Sequence, residues 1–375
     1  MPDPAVRISN LKSQISNSSP VALARNAMAT RFEILLHGPR PIALRAAAEE
    51  AFTEIERLDR ELSFYHPASQ ISRLNSRAAH EPVTVEPAVF HLLAHAAQLH
   101  RDTAGAFDIT IVPLLRAWGL TGAGGHVPST AALAAARRCV GMQHVHFDPD
   151  NFTVRFLRPG VQLDLGAIGK GFALERAVQI LRDLGVTSAL IHGGTSTVCA
   201  LGHPPDAPAW NIAIEHPENA LGQRRSAEHC SASAMEIDPP RPMLGAPTES
   251  TASPREEMAR RKLTPAPVLA IVPLRDNSLS VSAVWGKSFT AQGRTYGHIL
   301  DPRTGRPTRR AQLAAVVLPS ATESDALSTA LLTLGAPGLQ QLVALRPDIQ
   351  ALVVAEGSTG KPVRLATHGL APFLT

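Results

Sequence analysis

Aromatic residues are scarce: Phe, Trp and Tyr together make up 4% of the 375-residue chain. A core must then be built from Ala, Leu, Val and Ile, and a nucleic-acid surface that relies on stacked rings is excluded. Cysteine is scarcer still. Cys139, Cys199 and Cys230 are odd in number and contain no C-x-x-C pair, which argues against a disulfide framework and a thiolate zinc site. Long runs of one charge are also missing. The net charge is +4, and Arg224-Arg225, Arg260-Arg261-Lys262 and Arg309-Arg310 are isolated clusters, so no nucleic-acid footprint is present. The pI of about 9.2 nevertheless suits a phosphate-bearing ligand. No apolar run is long enough for a transmembrane segment, and the opening residues MPDPAVRISNLKSQISNSSP lack a basic stretch followed by an apolar one. As written, the chain is expected in the cytoplasm, and a start upstream of Met1 would open the periplasm instead.

What is there is an ordinary globular composition, 44% hydrophobic and 18% charged, in a length between one large domain and two ordinary ones. Residues 30–37 (TRFEILLH) alternate as a strand closed by Gly38-Pro39. Leu44, Ala48, Ala51, Ile55, Leu58 and Leu62 then recur at helical spacing. A second helix is expected over 88–100, with Val89, Leu92, Leu93 and Ala96 inward. Strands are expected over 161–165, 188–191, 210–214, 268–273, 314–318 and 349–354, with a helix entered near Gly169 between the first two. Helices and strands mix without a repeating unit, which is an α+β class. Residues 1–22 form a polar lead-in expected to be flexible, and 23–375 one domain. Within it, 218–264 are rich in Pro, Ser, Glu and Arg with no apolar period, the signature of a disordered insertion. A linker between two domains is the competing reading of that stretch.

Four segments carry chemistry. Gly105-Ala106-Phe107-Asp108-Ile109-Thr110 presents an Asp and a Thr on a small-residue turn, which is a ligand loop or a capped helix start. In Asp164-Leu165-Gly166-Ala167-Ile168-Gly169-Lys170-Gly171 a strand gives way to a helix beside a lysine. Free amides, the helix dipole and Lys170 suit a phosphate there, although a plain tight turn fits equally. Tyr296-Gly297-His298-Ile299-Leu300-Asp301-Pro302-Arg303-Thr304-Gly305 is densely polar, and turn chemistry accounts for Asp301-Pro302 and Thr304-Gly305 but not for His298. On the helix that follows Glu323, Asp325, Ser328 and Thr329 share one face at i, i+3 and i+4. Oxygen donors so spaced suit Mg²⁺ with a phosphate substrate, while a Thr322-x-x-Asp325 capping box would make Asp325 structural.

In order along the chain, Met28-Ala29-Thr30, Ser63-Phe64-Tyr65, Ser69 to Asn75, Gly105 to Trp118, Asp164 to Gly171, His298 to Gly305 and Asp325 to Gly335 resemble the ApbE family of FAD:protein FMN transferases. The resemblance implies an α+β, T-fold-related architecture with mixed sheets and packed helices in a single catalytic domain. It also implies Mg²⁺-dependent transfer of FMN from FAD to a threonine of an acceptor flavoprotein, with release of AMP. Carried over by position, Met28, Tyr65, Ala106, Phe107, Asp108, Asp164, Lys170 and Leu300 would contact FAD. Ala167 through its carbonyl, Asp325 and Thr329 would hold the metal, with Ser328 a weaker candidate, and His298 would be the base. The sequence departs from the family pattern at Ala29 (usually Gly), at Thr195 (usually Asp after Gly-Gly), at Val281-Ser282-Ala283 (usually Thr-Ser-Gly) and before the histidine. The alternatives are a non-catalytic FAD-binding protein and an Mg²⁺-dependent FAD pyrophosphatase that yields FMN and AMP.

Overall fold

The computed structural model describes residues 6–7, 20–122, 124–216, 268–284, 288–356 and 362–374. Its centre is an eight-stranded sheet with the spatial order Val21–Ala27, Thr30–Leu36, Ala189–Gly193, Thr197–Leu201, Ser278–Ala283, Leu313–Leu318, Gln350–Glu356 and Pro362–Ala366. Every neighbouring pair is antiparallel. Helices Pro41–Leu62, Gly169–Asp183 and Ala321–Leu334 cover one face, and a smaller sheet of Val6–Arg7, Trp210–Glu215 and Val268–Leu274 covers the other.

A strand buried on both faces shows no polar alternation, and Leu313–Leu318 (LAAVVL) is of that kind. Its Ala314, Val316 and Leu318 pack among the helices, while Leu313, Ala315 and Val317 meet Ile212, Ile214, Leu269 and Val272 of the small sheet. Ser278–Ala283 (SLSVSA) splits differently. Leu279, Val281 and Ala283 enter the sheet-to-sheet core, and the serines between them face the Ala321–Leu334 helix, where they hydrogen-bond Ser324, Asp325, Ser328 and Thr329. Helix Pro41–Leu62 follows its sequence period and buries Ala48, Ala51, Ile55, Leu58 and Leu62.

Several expectations change. Residues 161–165 are not a strand: the backbone of Leu163 bonds the Asn75 side-chain amide at 2.7 and 2.9 Å, and the Asp164 N–H donates to the Ile109 carbonyl at 2.8 Å. A side chain and a loop thus replace a strand neighbour. Within the expected lead-in, Val6–Arg7 pair with Trp210–Glu215, and the first strand of the large sheet begins at Val21. Residues 218–264 lie outside the described residues.

Candidate active site

Helix Gly169–Asp183 starts at an N-cap, Ile168, that offers no side-chain acceptor. Such an end leaves amides unanswered, and the answer comes from elsewhere in the chain: Asp325 Oδ2 accepts from the Gly171 N–H at 3.0 Å. The approach requires glycine at 171, because a Cβ there would lie 2.1 Å from the Ala321 carbonyl oxygen. The other Asp325 oxygen accepts from Thr197 Oγ1 and Ser280 Oγ, both at 3.3 Å, and lies 3.7 Å from Lys170 Nζ. The ammonium also donates to the Gly166 carbonyl at 3.3 Å. Asp325 is 3% exposed, so its charge sits in a buried, oxygen-rich pocket with one cation at the edge.

Asp325 does not cap its own helix. Ser320 is the N-cap of Ala321–Leu334, and its hydroxyl accepts from the Glu323 N–H at 3.2 Å, which rules out the alternative Thr322-x-x-Asp325 box. The same helix end receives a second acceptor from its neighbour: Glu175 Oε2 takes the Thr322 N–H at 3.0 Å and the Ser320 hydroxyl at 2.7 Å. The two helices therefore cap each other. One turn beyond Asp325, Thr329 Oγ1 lies 3.1 Å from Ser282 Oγ, and Ser328 Oγ lies 2.8 Å from the same hydroxyl.

Asp164 begins the loop that leads into this helix and holds the Gly166 N–H at 2.7 Å. Tyr65 lies within reach of its charge. Tyr65 is an exposed side chain, and what shielding it has from water, first, with the Asp164 carboxylate second, raises its pKa above the ordinary phenol value. The Asp164 contact to Ile109 ties this loop to the 106–110 turn. There Ala106 and Phe107 are buried, and the Asp108 carboxylate is fully engaged: Oδ1 accepts from the Thr110 N–H at 2.8 Å and its hydroxyl at 2.6 Å, and Oδ2 lies 3.2 Å from His100 Nδ1. Asp108 shapes its own turn and caps no helix, since the next helix, Val112–Ala117, has Ile111 at its N-cap. The backbone and the turn's shape are what this segment offers a ligand.

Met28 and Ala29 form the two-residue turn between Val21–Ala27 and Thr30–Leu36, with φ of 49° and 57°. Beside it Gly194 packs so closely on Thr30 that a Cβ would meet Oγ1 at 2.4 Å. His298 lies half-buried between the Arg294–Gly297 and Leu300–Asp301 strands. Leu300 packs with Leu114, Trp118 and Val140, and Trp118 Nε1 donates to the Gly305 carbonyl at 2.7 Å. Direct contacts thus gather Asp164, Gly166, Lys170, Asp325 and Thr329. The 106–108 turn and Tyr65 join them through Asp164, whereas His298 and Leu300 stand on a separate pair of hairpins anchored to Trp118. Thr197, Ser280 and Glu175 were not singled out from sequence, although the Ser278, Ser280, Ser282 alternation was there to be read.

Among the described residues no three His, Cys, Asp or Glu side chains gather to hold a metal. A cation beside Asp325 would depend on one carboxylate, neutral oxygens and the oxygens of its ligand, the set that Mg²⁺ takes when it shares a phosphate. The residues present fit that ion.

The comparisons agree with one another. A curated FAD:protein FMN transferase of Treponema pallidum is 28% identical over 345 residues, 88% of this chain and 83% of that protein. One of Vibrio cholerae is 26% identical over 331 residues, 86% and 84% of the two chains. Among solved structures, the flavinyl transferase ApbE of Pseudomonas stutzeri, in its apo form, superposes with a TM-score of 0.72 at 28% identity over 95% of this chain and 97% of its own. The ApbE protein of Thermotoga maritima gives a TM-score of 0.75 at 25% identity over 95% and 100%. The family's own sequence profile matches residues 28–236 and 252–353, and with that match spread over most of the fold the chain belongs to the ApbE family.

Proposed function

We propose that this protein moves the FMN half of FAD onto a threonine hydroxyl of an acceptor flavoprotein and releases AMP. The observation that carries the reading is the placement of Asp325: a buried carboxylate against the start of a helix, beside Lys170 and a row of hydroxyls, in a member of a family whose curated relatives are named FAD:protein FMN transferase. Met28, Tyr65, Asp164, Leu300 and the 106–108 turn bind FAD in this reading, with Ala106, Phe107 and Asp108 contributing backbone and shape. Lys170 meets the pyrophosphate from the helix end, where amides and ammonium act together.

Mg²⁺, held by the Ala167 carbonyl, Asp325 and Thr329, would supply positive charge against the pyrophosphate oxygens. His298 takes the proton of the acceptor threonine as its oxygen bonds to the FMN-side phosphorus. The bond from that phosphorus to the bridging oxygen breaks, and AMP departs with the bridging oxygen. Phosphoryl transfer of this type is governed by positioning and charge, which is what a preset helix end and a buried carboxylate provide.

The test is incubation with FAD, Mg²⁺ and an acceptor domain, read by mass spectrometry. A gain of one FMN unit on the acceptor, with AMP released, supports the reading. Free FMN and AMP with an unmodified acceptor would indicate a pyrophosphatase, and intact bound FAD a passive binder.

A further inference from the structure

His100 occupies the last turn of helix Pro87–Asp102, with its ring directed at the 106–108 turn. Its Nδ1 lies 3.1 Å from the Phe107 carbonyl oxygen and 3.2 Å from Asp108 Oδ2. Both neighbours are acceptors, so Nδ1 carries a proton whether the ring is charged or neutral, and Nε2 is the nitrogen that titrates. From Asp108 the chain of contacts continues through Thr110, whose Oγ1 accepts from the Gly141 N–H at 2.7 Å, and through Ile109 to Asp164. The side chains of His100 and Asp108 are 17% and 1% exposed, so solvent screens this pair weakly.

We propose that His100 is a positioning residue for flavin binding: one ring N–H, shared between Phe107 and Asp108, sets the turn that receives FAD, and the charge on the ring sets how firmly the turn is held. The inference rests on the functional reading above, because it treats the 106–108 turn as part of the flavin site.

The groups around His100 fix the sign. Burial alone would lower its pKa, but the hydrogen bond and charge of Asp108, with the Phe107 carbonyl, outweigh burial and the repulsion from Arg101, and the net shift is upward. Arg303 approaches from the far side of Gly105, where a methyl group would touch both the His100 ring and the Arg303 stem, but its guanidinium is held by both Asp301 oxygens at 2.9 Å. Asp102, farther along the helix, accepts from Gln98 at 2.6 Å. With the pKa raised, the imidazolium and its charge-assisted bond are fully present below the ordinary histidine value. They are lost as pH rises through the folded-state value, where a weaker neutral N–H bond remains.

The expected result is an FAD dissociation constant that rises about fivefold between about pH 6 and about pH 9, the difference between a charged and a neutral hydrogen bond. His100→Asn can place an uncharged N–H near the position of Nδ1, and it should bind FAD at the high-pH level of the wild type with that rise removed. In the wild type, an NMR titration of the His100 ring should show its midpoint raised by FAD, because coupling between proton and ligand is reciprocal. The NMR arm needs no variant and stands if His100→Asn fails to fold. Parallel pH profiles for wild type and His100→Asn, or a midpoint unmoved by FAD, would overturn the inference while leaving the functional reading intact. A wild type that binds no FAD at either pH would overturn both.

Discussion

Asp325 can be tested by a change of a single atom. Asparagine keeps an oxygen for the Gly171 amide, and the neighbouring hydroxyls of Thr197 and Ser280 can turn to accept from its NH₂ group. Asp325→Asn should therefore shift the melting temperature little and abolish most Mg²⁺-dependent transfer, because a hard dication needs the lost charge. A Mg²⁺ titration of transfer, with thermal melting as the control, checks this, and an unaltered Mg²⁺ response would remove Asp325 from the metal site. His298→Asn should leave FAD binding in place and slow transfer by about 100-fold, the usual contribution of a general base. Comparing FAD affinity with single-turnover rate separates that role from a binding contact. Ala29 offers a test in the opposite direction. Its φ of 57° is costly for a side chain with a Cβ, by roughly 1–2 kcal/mol. Part of any gain from glycine is offset by the freedom glycine adds to the unfolded chain, about 0.4–1 kcal/mol. Ala29→Gly should stabilise by up to about 1 kcal/mol in urea unfolding.

The mutual capping of Gly169–Asp183 and Ala321–Leu334 makes their interface sensitive to single groups. Gly171→Ala would drive a methyl into the Ala321 carbonyl, so the helices must part and the Asp325 bond to Gly171 must lengthen. A loss of about 1–3 kcal/mol is expected, with a weaker hold on Mg²⁺ as its companion. Glu175→Ala removes the acceptor for the Ser320 hydroxyl and the Thr322 amide at an exposed edge, and about 1 kcal/mol is expected from thermal or urea unfolding. These elements were unequally legible in sequence. Pro41–Leu62 and Pro87–Asp102 announce themselves because their apolar residues recur at a helical period that depends on nothing outside the helix. Ser278–Ala283 reads as a polar stretch, because its serines are buried only by virtue of the hydroxyls on the facing helix. The site splits the same way. Asp325 and Thr329 could be picked out from their spacing, but the bond from Asp325 to Gly171 spans 154 residues, and no local pattern encodes it.

At the scale of the whole molecule, Glu215 and Val268 face each other across adjacent antiparallel strands, so the two points that flank residues 217–267 are neighbours. Replacing 218–264 with a short Gly/Ser linker should then keep the melting temperature and the affinity for FAD, since closing a shorter loop is no harder than closing a long one. Thermal melting and fluorescence titration would check this, and a folded variant that no longer bound FAD would make the segment part of the site. The bridged helices carry a further meaning for how the protein is made. Gly171 is synthesised long before Asp325, so helix Gly169–Asp183 leaves the ribosome without the carboxylate that answers its amide, whereas Ala321–Leu334 emerges with Ser320 at its head and Glu175 already made. Until Asp325 has emerged, the oxygen pocket of Thr197 and Ser280 has no carboxylate and the Gly171 amide lacks its side-chain acceptor. Docking of Ala321–Leu334 on the helix made far earlier is therefore the step in synthesis that brings the carboxylate to the hydroxyls of Thr197 and Ser280 and so closes the pocket.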